Sequence, residues 1–250
     1  MATGRDAQPA LRFVRVSKRY GSAPALRDFT LDVCAGETFG LVGMNGAGKT
    51  TLIKCLLDFA EPDDGEIEVF GVSHRITHAR TRLSFLPERF TPPYYLRGWD
   101  FLSYMLRLQG VVCDRQEAER MLQRLDLDVS ALAKPVRAFS KGMTQKLGLA
   151  ACLLARKDLY VLDEPISGLD PKARSLLKGL LKELRDGGRT IFFTSHVLAD
   201  VEELCDRMAV IHDGALRFTG SPAELRGRHD DANLEKAFLA CIEPSAELAA

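Results

Sequence analysis

The nine residues GMNGAGKTT, Gly43 to Thr51, place three glycines, a lysine and two threonines between two apolar runs. Glycine permits backbone conformations that a Cβ forbids, so consecutive N–H groups can converge on one anion. The start of the following helix adds its partial positive charge. Gly43, Gly48, Lys49 and Thr50 fit the spacing GxxxxGK[ST], in which the lysine reaches the terminal phosphates of a nucleotide and the hydroxyl joins a Mg²⁺ shell. The backbone from Met44 through Asn45, Gly46 and Ala47 would wrap the phosphate chain, and Thr51 closes the loop.

A second chemical pair stands at the end of LYVLDEP, where an apolar run gives way to Asp163 and Glu164. Ligands of open α/β sheets sit at that edge, and adjacent side chains diverge, so the two carboxylates can do different jobs. Asp163 would hold Mg²⁺ through water, and Glu164 would polarise the water that attacks a γ-phosphate. Alone, the pair would read as an acidic strand-end turn or a helix cap. With a phosphate loop upstream, the hydrolytic reading takes precedence. His196 follows FFTS and is placed to hydrogen-bond the γ-phosphate and the attacking water, although an isolated histidine there would be a cap or a core residue. His74 and His78 share an i, i+4 spacing without further ligands around them, and His212 and His229 read as turn and surface residues.

These groups need a scaffold. TFGLV before the loop reads as a buried strand, and TLIKCLLDF after it carries Leu52, Ile53, Leu56 and Leu57 at helical spacing. LRFVRV, FTLDV and DGEIEVFG alternate as half-buried strands do, which predicts an antiparallel sheet beside the nucleotide. From about Arg89 to Arg156 the chain is aromatic and proline-rich, then helical, with Ala118, Met121, Leu122 and Leu125 on one face. A strand at Leu159–Leu162 follows, then a helix with Ala173, Leu176, Leu177, Leu180, Leu181 and Leu184 in register, then a strand at Thr190–Thr194. That alternation predicts a parallel sheet with covering helices. MAVIHDGALRF reads as a hairpin around Asp213 and Gly214, and the residues after Ser221 as short helices.

Composition sets bounds. At 250 residues and 46% hydrophobic, the chain is long enough for a well-buried core in one large or two small domains. Thirty-four basic residues balance thirty-four acidic ones, so no global charge draws it to nucleic acid or anionic lipid. Six cysteines lack any CxxC spacing, several fall in apolar runs, and they read as reduced core residues of a cytosolic protein rather than ligands or bridges. MATGRDAQPA has no apolar signal core, and LGLAACLLA, Leu147 to Ala155, is too short to span a bilayer, so a membrane role has to come through a partner.

From about Leu11 to Gly220 the chain resembles the ATP-binding subunit of ABC transporters. FSKGMTQKLGLA is similar to that family's LSGGQ signature, with Ser140 and Gly142 in the serine and second glycine positions. The resemblance implies a P-loop NTPase fold with a RecA-like α/β core, an antiparallel β subdomain and a helical ABC subdomain. It implies one nucleotide-binding domain: core 9–88 and 157–222, helical subdomain 89–156, short helical tail 223–250, with no sizeable regulatory domain beyond. ATP and Mg²⁺ are the implied cofactors. Tyr20 in SKRYG matches the aromatic that stacks on adenine, and Ser167 to Asp170, SGLD, resembles the loop at the dimer seam. In the family the signature faces the nucleotide of the opposite subunit, so each chain holds two half-sites, and a homodimer is permitted.

Two motifs depart from the pattern. Glu88 in LSFLPERF stands where the family has glutamine, and Lys141 and Met143 replace the first glycine and the glutamine of the signature. These variants resemble the exporter branch that handles drugs, polysaccharides, lipids, ions and copper-site maturation, often with a separately encoded permease. NLEKAFLA, Asn233 to Ala240, is similar to the ending common there. Glu88 would join Thr50 and Asp163 around Mg²⁺ and make the site more dependent on its cation, or else face the permease or solvent and only transmit movement. RFTPPYYLRGW, Arg89 to Trp99, leads into the helical subdomain and would meet a transmembrane permease, which would hold the chain on the inner face of the cell membrane. The competing reading is a soluble ABC-type ATPase of translation or DNA repair. Such proteins resemble tandem two-cassette chains or cassettes split by long coiled coils, whereas a single cassette is visible here.

Overall fold

The alternation in LRFVRV and FTLDV produces β1 (Leu11–Tyr20) and β2 (Ala23–Val33), which pair antiparallel. The computed structural model describes residues 8–229 and 233–243. Residues 1–7, which begin MATGRDAQPA, and residues 230–232 and 244–250 of the expected tail lie outside the described residues. The chain divides into two units, one of residues 1–80 with 192–250 and one of residues 81–191.

In the first unit β1 and β2 are followed by β3 (Thr38–Val42), α1 (Lys49–Leu56), β4 (Asp64–Val69), β5 (Val72–Ser73) and α2 (Thr77–Arg80). The order β2-β1-β4-β5 is the antiparallel sheet that the alternating segments predict. Its inward residues include Phe13, Phe29, Leu31 and Ile67, all buried, and Phe13 meets Phe29 edge-to-face at 6.2 Å between centroids.

The second unit holds β6 (Leu83–Leu86), α3 (Gly98–Leu108), α4 (Arg115–Arg124), α5 (Lys141–Leu154), β7 (Leu159–Asp163) and α6 (Pro171–Asp186). β6 and β7 pair in parallel, and α3 and α4 pack against α5. α4 buries Ala118 and Leu122, as its periodicity predicts, and α6 buries Ala173, Leu177, Leu180 and Leu181. α5 is different: from Gln145 to Leu154 every residue is buried, the pattern of a central helix rather than an amphipathic one. Gly148 allows its close packing, since a Cβ there would lie 2.7 Å from the Phe90 ring.

β8 (Thr190–Ser195) begins in the second unit and ends in the first, which then adds α7 (Leu198–Leu204), β9 (Arg207–His212), β10 (Ala215–Gly220), α8 (Pro222–Arg228) and α9 (Leu234–Ile242). β3 lies parallel to β9 in the order β10-β9-β3-β8. The β9–β10 hairpin turns at Asp213 (φ 49°) and Gly214 (φ 75°), the left-handed pair that a two-residue turn requires. α8 starts with a capping box between Ser221 and Glu224.

Three expectations change. His229 is half-buried at the end of α8 and its Nε2 is enclosed, so it is not a simple surface residue. His74 and His78 do not share a helix: His74 is buried before α2, with Nδ1 3.0 Å from the Ile67 carbonyl. The cysteines are not all core residues: Cys55 and Cys152 are buried, Cys113, Cys205 and Cys241 are half-buried, and Cys34 is exposed.

Candidate functional site

In the first unit, the loop from Gly43 to Thr51 joins β3 to α1. Two of its glycines are left-handed, Gly46 at φ 83° and Gly48 at φ 114°. Gly48 is the N-cap of α1 and brings no side chain to the helix start, and the first turn of α1 carries no acidic residue. The amide end of α1 is therefore left for an external anion. Space also dictates glycine: a Cβ on Gly43 would lie 2.5 Å from the Ile211 carbonyl oxygen, and one on Gly48 2.6 Å from that of Ala25. The tip of the β9–β10 hairpin supports the loop, with the Gly214 amide donating to the Ala47 carbonyl at 2.9 Å.

The buried Lys49 folds back over the loop and donates from Nζ to the Gly43 carbonyl at 2.6 Å and the Met44 carbonyl at 3.2 Å. This holds an ammonium at the mouth of the amide cradle. Met44, Asn45, Gly46 and Thr50 are exposed there, and Ala47 is buried beneath them. Tyr20, at the end of β1, is 51% exposed, which leaves a ring face open to a planar base, and Lys18 Nζ lies 5.7 Å from its centroid. His196 follows β8 and is exposed, in a turn where Ser195 Oγ accepts from the Val197 amide at 3.0 Å.

In the second unit, Asp163 is the last residue of β7, a strand buried along its whole length, and both Asp163 and Glu164 are buried. Glu164 has a left-handed backbone at φ 49°. For glutamate this conformation carries strain of about 1–3 kcal/mol, of the kind that collects at functional sites. The Glu164 carbonyl accepts from the Ser167 amide at 3.1 Å, which starts the SGLD turn, and Asp170 then caps α6 by accepting from the Ala173 amide at 3.0 Å.

Ser140 is exposed and caps α5, its Oγ accepting from the Met143 amide at 3.2 Å. Gly142 lies against the SGLD turn, where a Cβ would sit 3.6 Å from the Gly168 carbonyl oxygen. Glu88 is exposed. In the Arg89–Trp99 segment Tyr94 and Tyr95 are about 70% exposed, whereas Trp99 is half-buried with the Arg115 guanidinium 5.0 Å from its ring.

One network escapes sequence reading. Lys146, buried in α5, donates to the Asp126 carbonyl at 2.9 Å and lies 3.5 Å from both the Asp126 and Asp170 carboxylates. Lys172 pairs with Asp126 at 2.5 Å, and this hydrogen bond holds the Asp126 carboxyl below its usual range. The signature helix is thereby tied to the cap of α6. The partners are 20 to 46 residues apart, and no local pattern signals them.

The model of the family described as ABC transporter matches residues 26–167, more than half of the chain. The chain belongs to the ABC transporter family. It is 40% identical over 217 residues to an uncharacterized ABC transporter ATP-binding protein of Nostoc sp., a match that covers 84% of this chain and 64% of that relative. The chain thus spans less than two thirds of that relative's length. It is 39% identical over 219 residues to the Nod factor export ATP-binding protein I of Burkholderia orbicola, covering 85% of this chain and 71% of the relative. A solved structure described as the ATP-binding subunit of an ABC transporter superposes with a TM-score of 0.83 at 30% identity, covering 93% of this chain and 99% of that one. The fold is that of ABC ATPase subunits, a P-loop α/β core with an antiparallel sheet and a helical segment.

Proposed function

We propose that this chain is the ATP-binding and ATP-hydrolysing subunit of a membrane exporter. The observation that carries the proposal is the phosphate cradle: left-handed Gly46 and Gly48, the side-chain-free start of α1, and the Lys49 ammonium folded over the loop. A polyphosphate is the ligand that such converging amides and a cation suit. The likeness to a Nod factor export protein supports the export direction.

In this reading the amides of residues 43–51 and Lys49 hold the triphosphate and Tyr20 stacks on the base. Thr50 and Asp163 would supply hard oxygen donors to hold Mg²⁺, and the ion would neutralise phosphate charge when bound. No three His, Cys, Asp or Glu side chains among the described residues form a metal cage, and a cation shared with phosphates needs none. Glu164 accepts the proton of the attacking water, and His196 orients that water. Ser140, Gly142 and the amide end of α5 cover the γ-phosphate held by a facing copy. Closure of the two copies then drives the permease, and the in-line phosphoryl transfer that follows needs mainly positioning and charge stabilisation.

The chain acts as one nucleotide-binding domain, with core 9–88 and 157–222, helical subdomain 89–156 and tail 223–250. No helix among the described residues is long and apolar enough to cross a membrane. We assign the membrane attachment to a separate permease, met through the exposed Tyr94 and Tyr95 and the helical subdomain, on the inner face of the membrane. Co-purification with the permease tests this. Tyr94→Ser with Tyr95→Ser should weaken the complex at least several-fold and leave ATP binding intact, and an undisturbed complex would contradict the docking assignment.

A further inference from the structure

Two departures from the family's motifs, Glu88 in place of glutamine and Lys141 in place of the first signature glycine, line one cleft of ≈ 590 Å³ within the second unit, together with Arg89, Thr144, Gln145 and Ser167. The two residues are 53 positions apart in the chain, so only the fold brings the substitutions together. They introduce one negative and one positive charge, and so leave the charge of the cleft as it would be with glutamine and glycine. Lys141 is the first residue of α5, where the helix end is itself positive and the first turn carries no acidic residue, so an outside anion is favoured beside it. Its stem passes over Gly168: a Cβ there would meet Lys141 Cε at 3.4 Å and Nζ at 3.8 Å. Glu88 is the one carboxylate that lines the cleft.

We propose that Lys141 is a positioning residue that pairs with the Glu88 carboxylate across this cleft and ties the 87–91 segment to the signature helix. Narrowing of the cleft brings the exposed ammonium and carboxylate together. The segment that leads into the helical region then moves with the helix whose N-terminal end carries Ser140 and Gly142. The role in turnover rests on the ATPase reading above; the pairing itself does not.

Zero-length carbodiimide coupling, which condenses a carboxylate with a touching lysine ammonium into an amide with loss of water, tests the pairing on the full chain with and without MgATP. Peptide mass spectrometry should find a Glu88–Lys141 amide alongside that of Asp126 and Lys172, which pair at 2.5 Å and serve as internal standard. Lys141→Met keeps the stem over Gly168 and should lose the product, and the charge-swapped E88K/K141E chain should regain it. In the ATPase assay the swapped chain should exceed the product of the two single-variant effects by about twofold to fivefold, the range of exposed ion pairs. The Asp126–Lys172 amide without any 88–141 amide in either condition would overturn the pairing. Additive rates would overturn its role in turnover. Neither result bears on Glu164, whose variant tests the ATPase reading separately.

Discussion

Glu164 closes a strand buried on every residue and then turns with φ 49°, a conformation that costs glutamate energy and would cost glycine none. In the proposed function Glu164 and Asp163 take different roles, the base and the Mg²⁺ donor. Glu164→Gln keeps the volume and removes the proposed base, so ATP turnover should fall by about 10²–10⁴-fold while ATP affinity holds. Phosphate release and equilibrium binding measured side by side check it, and multiple rapid turnovers by the variant would remove the assignment. Gly48→Ala forces a Cβ to 2.6 Å from the Ala25 carbonyl at φ 114°. It should destabilise the chain by about 1–3 kcal/mol and weaken ATP binding, read by urea unfolding and titration. The phosphate loop is legible in sequence because its glycines are spaced by the geometry they serve. The strain at Glu164 is not legible, since nothing in DEP asks for a left-handed glutamate.

At the scale of elements, strands with one solvated face announce themselves by alternation, and α4 and α6 by their 3.6-residue period. α5 gives no such sign, because a helix buried all round has no polar face to mark its phase. Its tie to α6 through Lys146 is equally silent, as long-range ion pairs leave no local pattern. The corner of β4, β5 and α2 offers a test of a buried polar group. His74 accepts no proton readily: burial pushes its imidazole below the ordinary histidine value, partly opposed by the hydrogen bond to the Ile67 carbonyl. Arg80 donates to the His74 carbonyl and pairs with Asp58 at 3.1 Å across the same corner. As pH falls through roughly 6.5 the unfolded chain takes up this proton before the folded one, so the His74 contribution is full above that pH and is lost below it. His74→Gln should therefore flatten the decline in urea midpoint between pH 7.5 and 5.5 relative to the parent chain. An unchanged slope would show that His74 is not the titrating group.

For the molecule as a whole, the phosphate cradle and the signature serine are on separate units of the chain, and in the proposed function each meets its counterpart on a second copy. The sequence carried the family and the fold through motifs whose spacing reflects phosphate geometry. The expected pairing of two copies comes from resemblance alone, because the surface of Ser140 reads locally as an ordinary helix cap. Ser140→Ala should cost about 1 kcal/mol of helix capping and also spoil the pocket of the facing copy. Lys49→Ala should spoil the pocket of its own copy. The decisive measurement is the ATPase rate after mixing purified Lys49→Ala and Ser140→Ala chains, each inactive alone. Paired head to tail, they restore one pocket with an intact lysine from one copy and an intact serine from the other, so activity should return on mixing. A mixture as inactive as its components, under conditions where ATP brings wild-type copies together, would contradict the shared pocket.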